Sequence, residues 1–205
     1  MGELDIKSTT IERGLDLIWG FLGKAIGPTV EEFGLGLSDN LRMRRFRNQL
    51  KNLERAKKIA EDHNVNIKQI NLKALFPYLE GAVLEEDETL QEMWANLFVN
   101  YVDTAKNLTM TVFPDILRHL SSNEVKIISF MRENTSLLKK NRWYGETQNY
   151  PGEYTDEEIG NLSRLGLIHA ESNLSIYDEN KIEEWAPDNY YLTNLGRAFL
   201  DACQR

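Results

Sequence analysis

Cysteine is almost absent from this chain. Cys203 is the only one, which excludes a disulfide framework and a thiolate metal site and suits a reducing interior such as the cytoplasm. Histidine is nearly as scarce. His63, His119 and His169 lie far apart, and no His-x-x-x-His or Cys/His ligand spacing occurs. No metal or other cofactor is therefore expected. No uncharged apolar run reaches the roughly 18 residues of a spanning helix. The N-terminus lacks the basic region followed by an apolar core that marks a signal peptide. Neither a Gly-x-Ser-x-Gly elbow nor a phosphate-cradling glycine loop is present, and Gly34-Leu35-Gly36 is too short for the second. Carboxylate pairs abound in any acidic protein and are no sign of acid–base chemistry. The expectation is a protein that is not an enzyme and carries no catalytic residues.

What the chain does have is enough apolar sequence for a core and an uneven distribution of charge. Its 205 residues are 41% apolar, room for one large domain or two small ones. The net charge is −8, which argues against a general nucleic-acid coat but not against a local basic patch.

That patch is in Ser38–Asn64. Met43, Phe46, Leu50, Leu53, Ala56 and Ala60 recur every three or four residues, the period of an amphipathic helix. At about 100° per residue, Arg44, Arg47, Lys51, Arg55 and Lys58 form a second stripe away from the apolar one. One reading is a solvated face partly paired with Glu54. The other is a docking surface for a polyanion or an acidic partner. Residues 38–64 carry eight Lys/Arg against four Asp/Glu, while residues 121–205 carry nine against fourteen. The basic helix thus has a candidate counterpart in its own chain or in a second copy.

The remaining segments read mostly as helices. Thr9–Glu12 is a candidate capping box. It precedes an apolar face of Ile11, Leu15, Ile18, Trp19, Leu22 and Ile26, with Pro28 ending the helix near Gly27. Gly14, Gly20, Gly23 and Gly27 are costly in a helix. The Gly23-x-x-x-Gly27 spacing suits close helix packing. Trp19, Gly20, Gly23 and Gly27 are accordingly candidates for a close helix contact or for reversible membrane contact. Ser38 or Asp39 is expected to cap the basic helix, and residues 64–71 to form a turn-like break. Leu72–Leu84 reads as two short buried helical pieces, interrupted by Pro77 and Gly81. The acids Glu85–Glu88 read as a helix start rather than a metal site, with Thr89–Glu92 as a capping box. Leu90, Met93, Trp94, Leu97, Phe98 and Tyr101 then mark a central bundle helix. A short helix over Phe113–Leu120 suits a first-turn proline at Pro114.

Ser121–Glu124 and Thr155–Glu158 are two further capping boxes, each opening a helix, the second ending at Gly166. Lys139–Thr155 reads as a loop. Leu167–Glu171 and Tyr190–Leu192 read as short strands, and Thr193 as the cap of the last helix. The order is that of a winged-helix module with a two-stranded wing. Its second helix offers Arg164 as the only basic residue beside three acids, whereas phosphate contacts need Lys and Arg. A protein-contact or structural role is therefore preferred to DNA reading.

Several parts together resemble the bacterial abortive infection alpha family. They are the glycine-rich start with Glu32-Phe33-Gly34, the basic helix, and Leu72–Pro77 leading into the acids. Leu90-Gln91-Glu92-Met93-Trp94-Ala95-Asn96-Leu97, Pro114–Leu120, and the closing Leu192-Thr193-x-Leu195-Gly196 complete the set. The resemblance spans roughly residues 12–203. It implies a role in phage defence, in which infected cells stop growing or die before the phage spreads, and it implies no catalytic residues.

The expected fold is mainly α. A helical bundle over residues 1–118 precedes a small winged-helix-like domain over 119–205. The expected function is non-enzymatic phage defence through protein–protein or membrane contacts, with a nucleic-acid-binding regulator as the alternative. A protein partner or homo-oligomer is expected ahead of peripheral membrane contact and of nucleic acid. The expected location is cytoplasmic, with membrane association on activation.

Overall fold

The burial of one helix organises the N-terminal part of the molecule. The structure is a computed structural model. It describes residues 20–21, 23–27, 40–134, 137–139, 150–171 and 189–205, with backbone alone for 40–47, 137 and 139. The Thr9–Glu12 box, Trp19, Pro28, the cap at Ser38 or Asp39, and most of the Lys139–Thr155 loop lie outside the described residues. The described chain is mainly helical. It divides into two compact units, one of Met1–His119 with Ala202–Arg205 and one of Leu120–Asp201.

In the first unit α1 spans Asn40–Asp62, α2 Leu72–Ala82, α3 Glu88–Val102 and α4 Phe113–Leu117. Asp87 starts α3 by accepting from the Thr89 and Leu90 amides at 2.9 and 3.1 Å. The acids here do open a helix. The cap, however, is Asp87 rather than Thr89, because the helix begins at Glu88 and the Asp87 carboxylate stands at the N-cap, where it reaches the free amides two and three residues on. Every residue of α3 from Met93 to Val102 is buried. Trp94 is fully enclosed, with Tyr78 edge-on at 5.5 Å, and Phe98 meets both Tyr78 (5.1 Å) and Phe21 (5.9 Å). Before α1, Gly20, Phe21 and residues 23–25 are helical. The Ala25 carbonyl accepts from the Ile70 amide, and Gly27 turns left-handed (φ 79°) against Gln69.

Leu72–Ala82 is one continuous helix, not two pieces, and its Leu72 and Phe76 are exposed. Pro77 removes one donor without breaking the helix. Gly81 is there for its neighbour: a Cβ at Gly81 would lie 2.3 Å from the Trp94 ring. The glycine that reads as a breaker is the slot that admits the indole.

In the second unit α5 spans Ser122–Glu133, β1 Leu137–Lys139, α6 Asp156–Arg164, β2 Ile168–Ala170 and β3 Asn189–Leu192, and α7, Asn194–Cys203, belongs to it except for its last two residues. The two expected strands pair antiparallel, with His169 opposite Tyr191. A third strand, β1, adds to the other edge of β3, giving the order β1-β3-β2. Both capping boxes form, at Ser121/Glu124 and at Thr155/Glu158. Each capping glutamate also receives an asparagine from the other helix: Asn161 donates to Glu124 at 2.7 Å and Asn123 to Glu158 at 2.9 Å. Gly166 is left-handed (φ 71°), as a helix-ending glycine should be. The Thr193 hydroxyl accepts from the Gly196 amide at 2.9 Å, capping α7. Gly196 itself permits a close approach, since a Cβ there would lie 2.4 Å from the Leu167 carbonyl.

Two predictions follow from this packing. Glycine to alanine within a helix ordinarily gains up to about 1 kcal/mol. Gly20→Ala and Gly23→Ala, with nothing within 4 Å of the new methyl, should show that gain. Gly81→Ala should instead lose about 1–3 kcal/mol by overpacking against Trp94. Thermal melts of the three variants read the opposite signs. The second concerns Tyr154, whose hydroxyl is buried with no hydrogen-bond partner among the described residues. Burial, with Asp156 and Tyr190 adding to it, pushes that phenol up to about 12. The folded value exceeds the unfolded one, so its contribution is intact below about pH 10 and lost as the pH rises through about 12. Tyr154→Phe, which removes an unpaired polar group, should leave stability at neutral pH unchanged or higher. It should also lose less stability than the wild-type chain between about pH 10 and 12, read by urea unfolding across that range.

Candidate functional site

Helix α1 is two-faced, and its rotation is fixed by a polar residue. Leu50, Leu53, Ala56 and Ala60 are buried, and so is Asn52 in the same seam. The Asn52 amide donates to the Gln91 carbonyl of α3 at 3.0 Å, and its oxygen accepts from the Tyr78 hydroxyl of α2. The Gln91 side chain continues the chain of bonds to the Glu85 carbonyl at 3.0 Å. A buried amide satisfied from two helices at once allows α1 one rotational setting, because any other would strand these groups. In that setting burial also drives the Tyr78 phenol far above its ordinary range.

The opposite face is the basic one. Lys51 and Lys58 are exposed and Arg55 partly so. Arg44 and Arg47 share their face by helical phase, their side chains lying outside the described residues. From Arg44 to Lys58 the stripe runs about 21 Å at about 1.5 Å per residue. Glu54 does not pair with it. Lys51, Arg55 and Lys58 make no ion pair among the described residues, whereas the neighbouring Lys57 lies 3.4 Å from Glu61. Three cations thus stand together uncompensated on a rigid scaffold.

Of the glycine-rich candidates, the three described ones, Gly20, Gly23 and Gly27, do not share one surface. Gly20 and Gly23 are exposed, with no described neighbour over them. Gly27 is buried and serves a turn. Trp19 lies outside the described residues. A cavity of about 350 Å³ near the end of α1 is lined by Phe21, Lys24, Lys57, Glu61 and Ile67 among others, with no histidine or cysteine in its wall.

No chemistry assembles elsewhere among the described residues. No group of three or more His, Cys, Asp or Glu is placed to hold a metal ion. The acidic run is spent locally, with Glu85 accepting from the Glu86 and Asp87 amides at 2.9 Å. His119 bonds the Asp115 backbone carbonyl at 2.7 Å, while the Asp115 carboxylate pairs with Arg118. His169 stacks on Tyr191. Cys203 is buried, and burial drives its thiol well up, away from reactive thiolate. Arg164, the one basic residue of α6, is held by Asn161. No described helix is long and apolar enough to cross a membrane.

Sequence reading located the stripe but not what orients it. Asn52, Tyr78 and Gln91 pass unnoticed in the chain, and the available signal is a polar residue inside an apolar seam. The family model described as abortive infection alpha matches residues 39–203, so the glycine-rich start lies outside the match. No curated protein and no solved structure matches the chain.

The two faces of α1 should respond differently to substitution. Asn52→Leu leaves the Tyr78 hydroxyl buried and unpaired and should cost about 1–3 kcal/mol. Reversing Lys51, Arg55 and Lys58 together to Glu should change stability by no more than about 1.5 kcal/mol, since exposed charges contribute little. Urea unfolding of both variants measures the contrast.

Proposed function

The chain belongs to the abortive infection alpha family, and on that premise we propose that it acts in phage defence without catalysis, by docking a partner protein on the basic face of α1. Family membership suggests the abortive-infection role. The observation that carries the mechanism is the uncompensated Lys51–Arg55–Lys58 face, held outward by the buried Asn52 bonds. The reading places the protein in the cytoplasm. The second unit, whose strand order is compatible with a winged-helix module, serves in it as a protein-contact or structural element. Its α6 begins with Asp156, Glu157 and Glu158, which repel a phosphate backbone, so a nucleic-acid regulator is the weaker alternative.

Membrane contact on activation is a second reading, favoured by the exposure of Gly20 and Gly23, which no described residue covers. It requires leakage from vesicles of anionic lipid, and intact vesicles would end it.

A phage challenge in liquid culture, at low and high phage-to-cell ratios, tests the main reading. Cells carrying the gene should survive at the low ratio and stop growing or collapse at the high one. The Lys51→Glu/Arg55→Glu/Lys58→Glu variant should be expressed at wild-type level and lose that protection. Full protection by this variant would remove the docking face from the mechanism.

A further inference from the structure

We propose that the partner of the basic face is a second copy of this chain, whose acidic second unit seats on α1, so that copies associate head to tail. This rests on the reading of α1 as a docking face and names its occupant.

The face itself narrows the choice. The residues that share it by helical phase are Asn40, Arg44, Arg47, Lys51, Arg55, Lys58 and Asp62, with Glu54 at its border. It contains no aromatic or aliphatic residue. Interfacial helices anchor in lipid through Trp, Phe or Leu beside their cations. Proteins that track single-stranded nucleic acid stack bases on aromatic side chains. A wholly polar, cationic stripe with acids at its edge lacks both devices. An acidic protein surface needs neither, because charge complementarity and hydrogen bonding from Lys and Arg suffice to steer and register the contact.

The chain supplies such a surface. Residues 120–201 carry eight Lys/Arg against fourteen Asp/Glu, while residues 38–64 carry eight against four. Glu153, Asp156 and Glu157 are exposed where the chain enters α6. Glu153 and Glu157 make no ion pair among the described residues. Hydrogen bonds from its own amide and from Thr155 hold the Glu157 carboxyl below its usual range, so it stays charged. The only cation of α6, Arg164, is turned to Asn161 at 2.6 Å. The basic and acidic surfaces are different parts of the same chain. Joined head to tail rather than reciprocated about a two-fold axis, the contact is heterologous, and each added copy presents a fresh pair of surfaces. Assembly closes into a ring or continues as a filament.

Sedimentation velocity of the full chain tests this, with two reversed variants: Lys51→Glu/Arg55→Glu/Lys58→Glu and Glu153→Lys/Glu157→Lys. At about 0.1 M salt the wild-type chain should sediment as species larger than one chain. In about 1 M salt, which screens charges beyond about 3 Å, it should return to the mass of one chain. Each variant alone should associate more than about tenfold more weakly. An equimolar mixture of the two should regain the wild-type assembly, because each acidified α1 then meets a basified α6. A wild-type chain that stays single at low salt overturns the proposal, and so does a mixture that fails to recover. Stripe-dependent binding to duplex DNA or to anionic vesicles, with no self-association, assigns the face to another occupant and overturns it equally. The docking reading is judged separately. Protection lost in the stripe variant without self-association keeps the docking face and removes the second copy. Self-association with protection intact does the reverse.

Discussion

A helical stretch with no solvent face must be covered on every side, and the last ten residues of α3 are such a stretch. From Met93 to Val102 it presents buried residues all round, so the first unit is arranged as its cover. That demand explains features that look like faults in the chain. Gly81 admits Trp94, Pro77 is carried inside a continuous helix, and Asn52 sits in an apolar seam to bind Tyr78 and the α3 backbone. It also decides the exterior. With Leu50, Leu53, Ala56 and Ala60 committed to the core, Lys51, Arg55 and Lys58 fall on the opposite face.

The second unit is stabilised by polar reciprocity where the first relies on aromatic burial. Glu124 and Glu158 each close their own helix and each accept from an asparagine of the other. Four capping hydrogen bonds and two cross-links thereby become one network, and a half-satisfied version of it would be worse than none. The chain's last residues rejoin the first unit. The Asn100 amide donates to the Ala202 carbonyl at 2.8 Å, and Arg205 bonds Asn100 and pairs with Asp103. The side chains of that pair are 12% and 8% exposed, so losing either partner would leave a buried charge uncompensated.

The functional reading follows from the same economy. Residues that sequence chemistry would prize are used for structure: histidines bond backbone carbonyls or stack, the cysteine is enclosed, and the acidic run caps α3. Lys51, Arg55 and Lys58 on α1 make no ion pair among the described residues.

Much of this was legible in the chain because it is local. Helical period places the seam and stripe of α1, capping boxes mark α5 and α6, Gly166 marks a helix end, and strand alternation marks β2 and β3. These depend on neighbours within four residues, whose chemistry the sequence lists directly. What the sequence could not declare is decided by contacts between distant residues. It could not tell that Gly81 is a slot rather than a break, that Asp87 rather than Thr89 caps α3, that Leu137–Lys139 joins β3, or that Gly20 and Gly23 stand apart from Gly27. The physical reason is that local patterns fix which face of a helix is apolar, whereas only packing fixes what that face meets. The stripe was determined by sequence; its outward setting was decided by Tyr78 and Gln91 closing on Asn52.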